Sequence, residues 1–100
     1  MPYHYRITLE KLADNRDDTP QNQTLTFDAT NHDDILEIIE RVRARAILPD
    51  AEVAAFCTGL KLFSEVMMAH RKDPLFAELA PHFRDFMLRL KKGARQSDDA

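Results

Sequence analysis

Glycine is scarce in this chain, with two in 100 residues, Gly59 and Gly93. A phosphate-cradling loop needs several glycines close together, so no Gly-rich nucleotide site is available. Cysteine is scarcer still. Cys57 stands alone, so no intrachain disulfide can form, and a single thiol suits a reducing compartment. No apolar run approaches the length of about 18 residues that a membrane helix requires. The N-terminal MPYHYRITLE alternates and carries charge early, without the apolar h-region of a signal peptide. No excess of positive charge is present either. Fourteen Lys and Arg stand against 17 Asp and Glu, a net charge of −3, which argues against a nucleic-acid partner. No serine lies in a nucleophile-elbow context. The absences together lead us to expect a soluble cytoplasmic protein with no catalytic motif, for which a non-enzymatic role is favoured.

The residues present have an ordinary globular balance, 44% hydrophobic and 31% charged. Tyr3–Leu9 alternates strictly: Tyr3, Tyr5, Ile7 and Leu9 share one face, while His4, Arg6 and Thr8 share the other. Period two with aromatic and β-branched residues predicts a half-buried strand. Gln23–Ala29 alternates again, with Leu25 and Phe27 expected inward. Between them lies a segment dense in turn-formers, DNRDDTPQN, expected to be a mobile loop. The pair reads as an antiparallel hairpin with a long connection.

Helical spacing takes over after TNHDD, where Thr30 or Asn31 is placed to cap and Asp33 and Asp34 suit the positive end of a helix. Ile35, Ile38, Ile39, Val42 and Ala46 form one apolar stripe. Arg41, Arg43 and Arg45 crowd the end of this helix, where cations belong; Arg43 diverges from the other two, so no single basic patch results. Pro49 suits the first turn of the second helix, which is the longest run without a breaker, Ala51–Arg71. Val53, Phe56, Leu60, Phe63 and Met67 form its main stripe, the expected core. Ala55, Gly59, Leu62, Val66 and Ala69 form a second apolar stripe. Such a helix is expected to be covered on two sides, and Gly59 to mark a close backbone approach. Asp73 and Pro74 start a third helix, and Pro81 is expected to kink or split it. Phe83, Phe86, Met87 and Leu90 then share a face, and Gly93 is a natural cap.

The expected fold class is therefore α+β: a two-stranded antiparallel hairpin followed by three helices, ββααα, with the last helix kinked or split near Pro81. A single domain is expected over residues 1–93, and a disordered polar tail over 94–100.

Residues that could carry chemistry are few. The histidines, His4, His32, His70 and His82, show no metal-ligand spacing, and no cysteine cluster joins them, so no metal site and no cofactor are expected. His70 falls at the edge of the second stripe near a helix end; it is either a helix-end histidine or a polar group beside a pocket. Cys57 lies about 20 Å along the same helix from His70, too far for activation, and reads as a buried inert thiol.

Three segments, MPYHYRITLEKLAD, LFSEVMMAHRKDPLF and FRDFMLRLKK, carry a resemblance. Together they resemble a family of short bacterial proteins of unknown function, over Met1 to Lys92. The resemblance implies a bacterial, cytoplasmic setting and a complete protein, and it brings no catalytic or ligand residues. Two functional expectations stand. The first is a protein-interaction or self-assembly module, expected as a homodimer through Gly59, Leu62, Val66 and Ala69. The second is a small ligand binder or enzyme with a pocket near His70. Nucleic-acid binding through the arginines is the weakest reading, and no membrane partner is expected.

Overall fold

Strand β1 (Tyr3–Glu10) pairs antiparallel with β2 (Thr24–Asn31) in a register that sets Ile7 opposite Phe27. The protein is described here from a computed structural model, which covers residues 2–12 and 23–99, with side chains as far as Lys92. Residues 13–22 of the expected loop lie outside the described residues. The chain divides into two compact units, Met1–His32 and Asp33–Ala100, each described in turn.

The first unit is the hairpin. Because side chains alternate along both strands, the register sorts them cleanly onto two faces. On one face Tyr5 lies opposite Ala29, Ile7 opposite Phe27 and Leu9 opposite Leu25. On the other, Arg6 Nε donates to Asp28 Oδ1 at 3.3 Å, and the Thr8 and Thr26 hydroxyls lie 3.3 Å apart. The Lys11 N–H donates to the Gln23 carbonyl at 2.9 Å and lengthens the ladder by one rung. The faces are those that the alternation predicts, but their depth is not. Leu25 and Phe27, expected inward, are exposed, as are Tyr3 and Leu9; only Tyr5, Ile7 and Ala29 are half-buried. A ribbon of two strands has too little area of its own to bury both ends of an eight-residue face.

The second unit is helical: α1 (Ile35–Arg45), α2 (Asp50–Ala69), α3 (Pro74–Ala77) and α4 (Ala80–Asp99). Helix α1 starts one turn of chain later than Thr30 and Asn31 would have it, since both belong to β2. Its cap is Asp34, whose Oδ1 accepts from the Glu37 N–H at 3.2 Å. The side chain satisfies a donor that has no partner inside the helix. The same Glu37 pairs with Arg41 one turn on, and Arg43 bridges Glu40 at 2.7 Å and Asp50 at 2.7 Å.

Ala46, expected in the apolar stripe of α1, instead ends the helix. Its φ of 57° lies in the left-handed region, and its N–H donates to the Arg43 carbonyl at 3.2 Å. The reversal lets α1 fold back on α2 within four residues, so Ile35, Ile39 and Val42 meet the line of Val53 and Cys57 and are buried with them. Val53 is fully buried and Cys57 is 1% exposed.

The proline punctuation resolves into a short α3 and a fresh start for α4. Asp73 Oδ1 accepts from the Leu75 N–H at 2.9 Å, with Pro74 opening α3. Pro81 falls in the first turn of α4, where its missing N–H costs no intrahelical bond. Gly93, expected to cap, lies within α4, which runs to Asp99. The fold class stands as α+β, with four helices where the third of three was expected to break.

Ala46 carries a testable cost. A β-carbon in the left-handed region is disfavoured by roughly 1 kcal/mol relative to glycine. Ala46→Gly is expected to stabilise the protein by about 0.5–1 kcal/mol and to raise its melting temperature by several degrees. A circular-dichroism melt of the two proteins checks it.

Candidate functional site

Helix α2 is where burial departs most from an ordinary amphipathic pattern. Its buried residues are Val53, Cys57, Ser64 and Met67. Phe56 and Leu60, from the expected main stripe, are half-buried, while Phe63 is 40% exposed. The buried line is thus shifted about 45° round the helix toward Cys57 and Ser64. It passes through two residues that polarity alone leaves aside. Ser64 is admissible there because its hydroxyl donates to the Lys61 carbonyl at 3.1 Å, which removes the penalty for burying it.

Lys61, placed by the wheel on the polar side, has a side chain only 14% exposed and pairs with Asp33 at 2.6 Å. The sequence signal for it was only an aspartate pair just before α1 and a lone lysine in α2. Nothing in the spacing joins them until α1 folds back on α2.

The second stripe lies on the opposite side. At 100° per residue, Ala55, Gly59, Leu62, Val66 and Ala69 centre roughly 160° from the buried line. Ala55, Gly59 and Ala69 are exposed, Leu62 is half-buried, and Val66 is 51% exposed. A β-carbon built on Gly59 would meet nothing within 4 Å. The close approach expected at Gly59 is therefore not made by this chain among its described residues.

An aromatic cluster borders the stripe. The Phe63 ring meets Phe83 edge-on at 5.8 Å and Phe76 at 6.3 Å, and Phe83 lies 6.3 Å from Phe86. Edge and tilted contacts of this kind are the favoured arrangements of aromatic pairs. They tie α2, α3 and α4 together while leaving one side of Phe63 and Phe86 exposed. The apolar surface thus continues from α2 onto α4.

His70 caps the C-terminus of α2. Its N–H donates to the Val66 and Met67 carbonyls at 3.2 and 3.1 Å, and its ring stacks on Phe76 at 6.2 Å. The side chain is exposed, and among the described residues the depression beside it is lined by the consecutive residues Met68–Asp73. A more enclosed groove of about 140 Å³ lies elsewhere, between α1, α2 and α4, floored by Phe56, Cys57, Leu60 and Met87. Three cations at its edge are already engaged. Arg41 pairs with Glu37, Lys61 with Asp33, and Arg45 donates to the Lys91 carbonyl at 2.6 Å and the Leu90 carbonyl at 3.5 Å.

Burial pushes the Cys57 thiol up from its ordinary value, so it is held as the un-ionised thiol. Among the described residues, no three of His, Cys, Asp and Glu gather as a metal-ligand set. None of the described helices is long and apolar enough to cross a membrane.

The geometry therefore defines a class first: a small α+β protein with an apolar stripe on α2 that is partly exposed among the described residues. Over residues 3–92 the chain matches DUF3861, described as a domain of unknown function with a solved structure, and it belongs to that family. It is similar to a protein of unknown function from Pectobacterium atrosepticum whose crystal structure is solved. The two share 41% identity over 92% of this chain and 99% of that one, with a TM-score of 0.80. No curated protein matches.

Two measurements check the site. Gly59 sits in a helix interior with open space where a methyl group would go, so Gly59→Ala is expected to stabilise the dilute protein by about 1 kcal/mol in urea unfolding. Destabilisation would mean that something already packs against it.

For Cys57, the raised pKa means that the unfolded chain loses its thiol proton first as pH rises. Stability is then full below the unfolded value of about 8.5 and falls as pH climbs from there toward the folded value. Urea melts from neutral to alkaline pH are expected to show a smaller alkaline loss in Cys57→Ala than in the parent.

Proposed function

We propose that the protein is a protein-interaction module whose binding face is the partly exposed second stripe of α2, Gly59, Leu62, Val66 and Ala69. One observation carries this reading: the face of α2 opposite its buried line is apolar where a solvent-facing helix surface is ordinarily polar. Scattered exposed apolar residues are normal on any protein. Here they are consecutive turns of one helix and continue onto the exposed sides of Phe63 and Phe86. Contiguity of that kind marks an interaction surface.

Binding there follows ordinary interface physics. Gly59 and Ala55 leave room for a partner's side chains to approach the helix backbone. Leu62 and Val66 supply apolar area, and the aromatic residues beside them are of the type that anchors interfaces. Fully covering a side chain such as Val66 removes its remaining exposed area from water, at roughly 25 cal/mol per Å².

A photo-crosslinking residue tests the face directly. Placed at Val66 in cells of the native host, it is expected to give a discrete covalent adduct with a protein. The same residue at exposed Arg84 is expected to give none. Absence of an adduct at Val66 would overturn the reading.

A further inference from the structure

Resting on the reading that the α2 face binds protein, we propose that its occupant is a second copy of this chain. The two α2 helices pack antiparallel about a two-fold axis that passes level with the midpoint between Gly59 and Leu62.

Size complementarity is the first reason. In that register Gly59 lies level with the partner's Leu62, and Ala55 with the partner's Val66. Each large apolar side chain of the stripe thus meets a small one. Around Gly59 the space into which the partner's Leu62 would enter is open, with nothing within 4 Å of a β-carbon position. Small residues at a crossing let helix axes approach to the short end of the usual 8–10 Å. The two-fold makes the contact self-complementary, as a closed dimer requires.

Charge complementarity is the second and independent reason, and it selects antiparallel over parallel. The first turn of α2 carries Asp50 and Glu52, its last turn carries no base, and exposed His70, Arg71 and Lys72 follow its end directly. On the wheel Glu52, Gly59, Val66 and His70 lie within about 40° of one another, so both charged ends flank the stripe. Antiparallel packing sets Glu52 beside the partner's His70 and the basic residues after it, once on each side of the axis. It also opposes the two helix dipoles. Parallel packing sets acid on acid and base on base. Asp50 points away from the stripe and is held by Arg43 at 2.7 Å, so Glu52 is the acid that tests the idea.

Charge reversal is the experiment. We expect the parent chain to sediment as a dimer. Glu52→Lys is expected to weaken the dimer about tenfold, since two attractions become two repulsions. The double variant Arg71→Glu with Lys72→Glu is expected to do the same. An equimolar mixture of the two variants is expected to recover the parent affinity, because both charge contacts are then complementary, and so is the chain carrying all three changes. Gly59→Glu is expected to abolish association with its circular-dichroism spectrum retained.

Weakening without recovery in the mixture would overturn the antiparallel arrangement. A dimer that survives Gly59→Glu would overturn the stripe as its interface. A parent that stays monomeric at its highest soluble concentration would overturn the self-pair. An adduct at Val66 of a mass other than twice the chain would also overturn the self-pair while keeping the interaction module.

Discussion

Everything in the helical unit depends on the contact of α1 with α2 through Val53 and Cys57. These two side chains are almost wholly removed from water, and Ile35, Ile39 and Val42 are buried with them. A fully buried aliphatic side chain contributes roughly 1.5–3 kcal/mol, so a handful of residues supplies most of what holds two short helices together. The polar fittings around the seam follow from it. Ser64 can be buried because the helix itself accepts its proton, and Lys61 reaches Asp33 only because α1 folds back along α2. Ala46 in the left-handed region is the local strain that this reversal requires.

The seam also explains why α2 has an exposed apolar face. A helix can present only part of its circumference to one neighbour. With Val53 and Cys57 on the buried side of α2, the stripe through Gly59 and Val66 falls on the far side of the same helix. Helices α3 and α4 meet α2 through the Phe63, Phe76 and Phe83 rings, at the border between the two faces. Among the described residues these contacts leave Val66 51% exposed.

Much of the architecture was legible in the residues because it depends on local rules. Strict alternation in Tyr3–Leu9 specified the strand and its two faces, and Pro74 and Pro81 specified where helices could begin. The helix start was legible to within a turn: Thr30 or Asn31 was expected to cap with Asp33 and Asp34 at the positive end, and the cap is Asp34. The candidate site was legible in part. Both stripes of α2 follow from periodicity, and Gly59 stood out among them. Which stripe is core did not follow cleanly: the buried line runs through Cys57 and Ser64, whereas hydropathy favoured Phe56 and Phe63. Aromatic rings can lie half-exposed at a helix border, and a serine can be buried at little cost once it bonds to its own helix. Hydropathy has no means of ranking those outcomes.

What the sequence by itself determined is the order and kind of the elements, two strands and then helices, and the presence of two apolar stripes on α2. Those properties are set by periodicity, capping and proline chemistry within a few residues of each position. What only the tertiary structure decided is which side of α2 is buried, which polar groups are paired, and that His70 ends α2 as an exposed residue. These depend on which side of α2 meets α1, α3 and α4, a choice made by packing between residues far apart in the chain.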